Sequence, residues 1–189
     1  MKQRITEEKL KDKRFRETEK AILIAFFSMK EKIDTNGLIK KAHISRSTFN
    51  RHHKNVYEIV PDYEMYIMRK FKLNMGKLIN KEKVEIEKVY RRMLLFILKN
   101  RTILGILIKN EEKEIIEKMV EAVEPKIVRM KGDFRQEILK VHAKEIIGLI
   151  EIWGTRGFKR EELERIYDKI MFLTDSIKIR LEPIWRKDK

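Results

Sequence analysis

Residues 34–55 read DTNGLIKKAHISRSTFNRHHKN, and their punctuation decides the fold. Asp34 or Thr35 can cap a short helix carrying Leu38, Ile39 and Ala42, because a short side-chain oxygen satisfies a free N–H of the first turn. His43 and Ile44 form a brief break, and Ser45 then stands where the next N-cap belongs, ahead of RSTFNRHH. Phe49 is the one large apolar residue of that next helix, so it is expected to point inward and leave the other side chains facing out. Upstream, Ile22, Ala25, Phe26 and Met29 recur at three- and four-residue steps, which predicts an amphipathic helix over 18–29. Three short helices with a tight turn between the second and third describe a helix-turn-helix.

The charge of this stretch points outward too. From Thr35 to Lys54 there are five Lys and Arg and no acid. Residues 1–55 hold ten Lys and five Arg against seven acids, more than half of the +15 net charge of the whole chain. A carboxylate on this face would meet phosphate and weaken binding to a polyanion. In a helix-turn-helix the third helix lies in the major groove with its N-terminal residues at the base edges. Ser45 caps that helix, whose first-turn N–H groups favour a nearby phosphate. Arg46 and Arg51 can reach phosphate or guanine, Asn50 can pair with adenine, and Ser47 and Thr48 are short enough to admit the backbone. Thr35, His52, Lys54 and Tyr57 complete the set expected at double-stranded DNA.

The residues 25–59, AFFSMKEKIDTNGLIKKAHISRSTFNRHHKNVYEI, resemble the N-terminal domain of TetR-type transcriptional regulators, whose pattern runs roughly I-A-x-x-A-G-V-S-x-x-T-[FL]-Y-x-H-F-x-x-K-x-x-L. Leu38, Ala42, Ile44, Ser45, Thr48, Phe49, His52 and Ile59 match it. His43 replaces the turn glycine, Asn50 the tyrosine, His53 the phenylalanine and Val56 the lysine. The tyrosine and lysine commonly grip phosphate in that family, and Lys54 and Tyr57 are the candidates to substitute for them. A left-handed turn at His43 carries a cost, smaller for His than for a branched residue.

Composition agrees with an all-α chain. Of 189 residues 42% are apolar, enough for a packed core, while only seven are Gly and three Pro. There is no Cys, hence no disulfide and no thiol chemistry. The longest apolar run, Ala21 to Phe27, is far short of the roughly 20 residues that span a bilayer. The opening MKQRITEEKLKDKR offers no signal-peptide core, so the expected setting is soluble and cytoplasmic, without a membrane partner.

The expected domains are 1–58, the helix-turn-helix domain, and 59–189, a helical effector-binding and dimerisation domain. Tyr63, Ile67, Phe71, Met75, Leu78 and Ile79 trace one helix with Pro61 in its first turn. A helix over 84–98 ends in MLLFIL, apolar all round and expected to be buried. TILGILI follows at 102–108, then a helix over 111–124 that Pro125 ends or kinks. In the last two helices the apolar arc covers about two thirds of the circumference, twice what one neighbouring core needs. That width predicts a homodimer with Ile138, Ile146, Leu149, Ile150, Trp153, Ile166, Ile170, Leu173 and Ile177 at its interface, the alternative being a monomeric bundle with a wide core.

TetR-type regulators dimerise through their last two helices, and GLIEIWGTRGF at 148–158 is similar to the C-terminal domains of some members. The resemblance implies a palindromic operator and a small-molecule effector that alters the spacing of the two recognition helices. Candidate effector contacts are Tyr63, Tyr66, Phe71, Met75, Tyr90, Met93, Phe96 and His142, apolar walls with polar tips. His142 and Glu145 share a helix face at three-residue spacing, which is how a metal pair would be set out. The adjacent His52 and His53 are expected on different faces, a poor metal pair. No nucleophile motif or phosphate loop is present, so neither an enzyme nor a bound cofactor or metal is expected. The rival reading is a basic helical protein on an acidic membrane surface or protein partner, but such a helix would flank a broad apolar face with Lys.

Overall fold

The structure, a computed structural model, describes residues 12–29, 33–79, 85–110, 112, 114–123 and 135–185. Every regular element among them is a helix. The chain divides into two compact units, Met1–Arg69 and Lys70–Lys189.

In the first unit α1 runs over Lys13–Phe27, α2 over Thr35–Lys41 and α3 over Arg46–His52. α1 starts five residues earlier than its apolar pattern, because Asp12 accepts a hydrogen bond from the Arg14 N–H and caps it there. Asp34, not Thr35, caps α2, taking the N–H groups of Asn36 and Gly37. Ser45 caps α3 through the Thr48 N–H.

Between α2 and α3 the chain makes a Schellman turn. The His43 N–H bonds the Lys40 carbonyl, the Ile44 N–H bonds that of Ile39, and His43 sits at φ 53°. The break expected at 43–44 is thus a left-handed residue without the glycine that usually occupies it. Ile22, Leu23, Leu38, Phe49 and Ile59 are fully buried and form the core of this unit. A 3-10 turn at Val56–Glu58, capped by Asn55, leads into α4, Ile59–Ile79, whose first turn contains Pro61. There proline's missing N–H has no helical carbonyl to satisfy.

The second unit contains α5 (Ile86–Lys99), α6 (Arg101–Lys109), α7 (Glu114–Glu121), α8 (Arg135–Thr155) and α9 (Leu163–Trp185). α8 packs against α6, α7 and α9, and α5 against α6 and α9. The apolar segment of α5 is not buried all round: Leu95 is exposed. Residues 124–134, with Pro125, and Val84 lie outside the described set.

α8 ends in a second Schellman turn, Gly157 N–H to the Gly154 carbonyl and Phe158 N–H to that of Trp153, with Gly157 at φ 81°. Trp153 meets Phe158 edge-on at 5.1 Å and donates its indole N–H to the Lys159 carbonyl. A Cβ on Gly154 would lie 2.6 Å from Cδ1 of Ile108 and 3.0 Å from Cζ of Phe158. The WGTRGF spacing is therefore a helix stop that locks onto the core. No helix among the described residues is long and apolar enough to cross a membrane.

Candidate nucleic-acid interface

α3 is seven residues long and shows two faces. Phe49 and His52, three residues apart, are buried, while Arg46, Ser47, Asn50 and Arg51 are exposed and Thr48 is half-buried. At its start the Ser45 hydroxyl lies 2.9 Å from that of Ser47 and 2.8 Å from that of Thr48. Arg51 donates to Thr48 Oγ1 at 3.2 Å, which holds the guanidinium along the outer face. Beyond the helix Lys54 is exposed, and the Asn55 side-chain oxygen, Oδ1, takes the N–H groups of Tyr57 and Glu58. That turn projects Tyr57, which is 81% exposed. Thr35 is half-buried, and Lys41 is tied through its ammonium to the Ser28 carbonyl. The outward set on and after α3 therefore comprises Ser45, Arg46, Ser47, Asn50, Arg51, Lys54 and Tyr57.

His52 does not belong to it. The sequence pattern predicts it at DNA, but it lies one turn from Phe49 on the same face and is 5% exposed. Its ring stacks on Phe15 with centroids 4.1 Å apart, and its Nδ1 bonds Glu19 Oε1 of α1. His53 is fully buried, with Nε2 3.2 Å from Glu19 Oε2 and Nδ1 2.9 Å from Asp62 Oδ2 of α4. The two rings were expected on different faces. They meet on one carboxylate because the helix stops at His52 and His53 turns to an extended backbone, φ −129° and ψ 155°.

Burial disfavours the charges of Glu19 and His53, and pairing more than restores them. Burial opposes ionisation of Glu19, but hydrogen bonds from His52 and His53 and their charge hold its carboxyl below the usual 4.5. Burial likewise works against the His53 imidazolium, and Glu19 first and Asp62 next raise it above the usual 6.5. The sequence carried one sign of this network. Glu19 stands three and four residues before Ile22 and Leu23, an acid on the core face of α1 that requires a buried partner.

The effector candidates are all buried, and the structure sorts them into smaller groups. Tyr63 and Tyr66 belong to the first unit, their rings 6.3 Å apart. In the second unit Phe71 meets Phe96 edge-on at 5.4 Å, and Met75 and Met93 are fully buried. His142 Nε2 lies 3.3 Å from both the Tyr90 hydroxyl and Thr174 Oγ1. Burial alone pushes this imidazole down to about 4, so it is neutral at pH 7. Glu145, its presumed companion, is exposed while His142 is fully buried, so the two do not share a site.

Five of the expected interface residues, Ile146, Ile150, Trp153, Ile166 and Ile170, are consumed by the core of their own chain. Ile138, Leu149 and Leu173 are half-buried, and the Ile177 side chain lies outside the described set. Among the described side chains of α8 and α9, the large apolar ones that are exposed are instead Val141, Ile152 and Phe172. Among the described residues no group of three or more acids and histidines is placed to hold a metal ion.

Comparison with protein-family models, with curated proteins and with solved structures finds no match to this chain.

Proposed function

We propose that this protein is a dimeric, sequence-specific DNA-binding regulator of the TetR type, a repressor released when a small molecule occupies its second unit. One observation carries the reading: a seven-residue helix, capped by Ser45 and anchored by Phe49, exposes Arg46, Ser47, Asn50 and Arg51 within a stretch free of acids. Arginine pairs with the O6 and N7 of guanine and asparagine with the N6 and N7 of adenine, so this face reads bases and also neutralises phosphate. Lys54 and Tyr57 extend the same segment and suit the phosphodiester backbone. A surface that only needed positive charge would not require a capped helix behind a fixed turn.

The effector part of the reading is supported by the Tyr90–His142–Thr174 trio, polar tips among buried apolar side chains. Selection of bound sequences from a random duplex pool tests the whole. A palindrome with half-sites about 34 Å or a small multiple apart is the expected winner. Retention of DNA by a chain changed at Arg46, Asn50 and Arg51 together would overturn it. Affinity that follows anionic lipid content in vesicles would favour a membrane-surface protein instead.

A further inference from the structure

We infer that Glu19, His52, His53 and Asp62 form a protonation-dependent latch that positions α3, so that DNA binding weakens as His53 loses its proton. The DNA half of this inference rests on the function proposed above; the latch itself rests on hydrogen-bond chemistry. An ionised carboxylate oxygen accepts and cannot donate. Both ring nitrogens of His53 face carboxylate oxygens, Nδ1 that of Asp62 and Nε2 that of Glu19. Both must therefore donate, and a ring that donates from both nitrogens is an imidazolium. Neutral His53 would turn a lone pair toward one of the two carboxylates, and that bond would be lost.

The placement makes this loss matter to α3. Phe49 is the only apolar anchor of the helix, and its C-terminal end is held by His52 and His53 through Glu19 of α1 and Asp62 of α4. Asn50 and Arg51, two of the outward residues, directly precede that end. Every neighbouring element contributes to the balance of charge. α1 brings Glu19 and, farther out, Arg16; α3 brings His52; α4 brings Asp62, Tyr63 and Tyr66. The Tyr63 hydroxyl, buried and beside Glu19, is held well above its usual 10.0 and stays neutral.

The direction follows from linkage. His53 is raised above 6.5 by folding, so its contribution is complete below 6.5 and disappears as pH climbs through the raised value. Glu19 is lowered below 4.5, so its contribution is complete above 4.5 and disappears as pH drops through the lowered value. The latch is closed between those limits and opens on the alkaline side. Phosphates brought near α3 favour the proton on His53 still more, so binding takes up a proton.

Ring-nitrogen NMR on the full chain from pH 5 to 9, paired with duplex affinity over the same range, tests this. His53 is expected to show two protonated nitrogens at pH 6 and to titrate above 6.5. Above that midpoint duplex affinity is expected to fall toward tenfold per pH unit, the limit for one linked proton (about 1.4 kcal/mol). Glu19→Gln and the milder Asp62→Asn should move the ring midpoint and the affinity midpoint down together. A His53 that titrates at or below 6.5 in the unmodified chain overturns the latch, with no variant needed. Affinity flat across the His53 titration overturns its role at DNA while the latch stands. A chain that binds no duplex at any pH loses the regulator function and the DNA half of this inference, and the ring titration still decides the latch.

Discussion

His43 holds a left-handed backbone where glycine would be free of the Cβ clash that makes this region costly, by about 1–2 kcal/mol, for other residues. Its side chain is exposed. His43→Gly should therefore stabilise the first unit by about 0.5–1 kcal/mol, read as a higher urea midpoint in helical circular dichroism. An unchanged or lowered midpoint would mean that the imidazole makes a compensating contact in the turn. His142 gives a second residue-scale prediction, with a sign opposite to that of His53. Its folded value is depressed to about 4 by burial, so the folded protein resists a proton that the unfolded chain accepts near 6.5. Stability of the second unit should decline as pH falls from 6.5 toward 4, and His142→Gln should flatten that decline. Trp153 is buried in the second unit, and its fluorescence reports on that unit. Equal acid sensitivity in the Gln variant would exclude His142 as the cause.

At the scale of elements, the proposed function assigns base reading to α3 and phosphate contact to the segment after it. Arg46→Ala or Asn50→Ala should change which half-site is preferred, at about 1–3 kcal/mol for a lost base pairing. Lys54→Ala should weaken all duplexes alike and flatten the salt dependence. Competition binding against single-base operator variants distinguishes the two, and a uniform loss for Asn50→Ala would place it at the backbone. The same scale shows what a reader of the sequence can and cannot obtain. The caps at Asp34 and Ser45, the turn at His43 and the inward Phe49 were legible because each depends on residues within four positions of itself. The histidine cluster was not, since Glu19 lies 33 residues before His52 and only tertiary packing joins them. The breadth of the apolar arc on α8 and α9 was equally legible, but periodicity cannot say which part of an arc faces its own core. Ile150 and Trp153 went inward, Ile152 between them stayed out, and the apolar positions left exposed among the described residues are different ones.

For the whole molecule the question is what those leftover positions do. Val141, Ile152 and Phe172 are 58%, 52% and 72% exposed, large apolar side chains on the two longest helices of the second unit. Gly148 stands seven residues after Val141 and four before Ile152, and a Cβ there would meet nothing within 4 Å. A mid-helix glycine costs about 1 kcal/mol relative to alanine, and no neighbour among the described residues requires it. Close approach of a helix from a second copy would, and burying the three side chains on that copy would remove them from water. A net charge of +15 opposes association of two copies, so the dimer should tighten as salt screens the repulsion. DNA binding should move the other way, because counterion release weakens it steeply with salt. Ile152→Lys with Phe172→Lys should give a monomer in sedimentation equilibrium with the thermal midpoint of the helices retained. On a palindrome that monomer should bind half-sites independently, losing the advantage of two linked recognition helices. A lysine double variant that sediments as the unmodified chain does would place the interface elsewhere, and a unmodified chain that is monomeric at every salt concentration would remove the dimer from the proposed function.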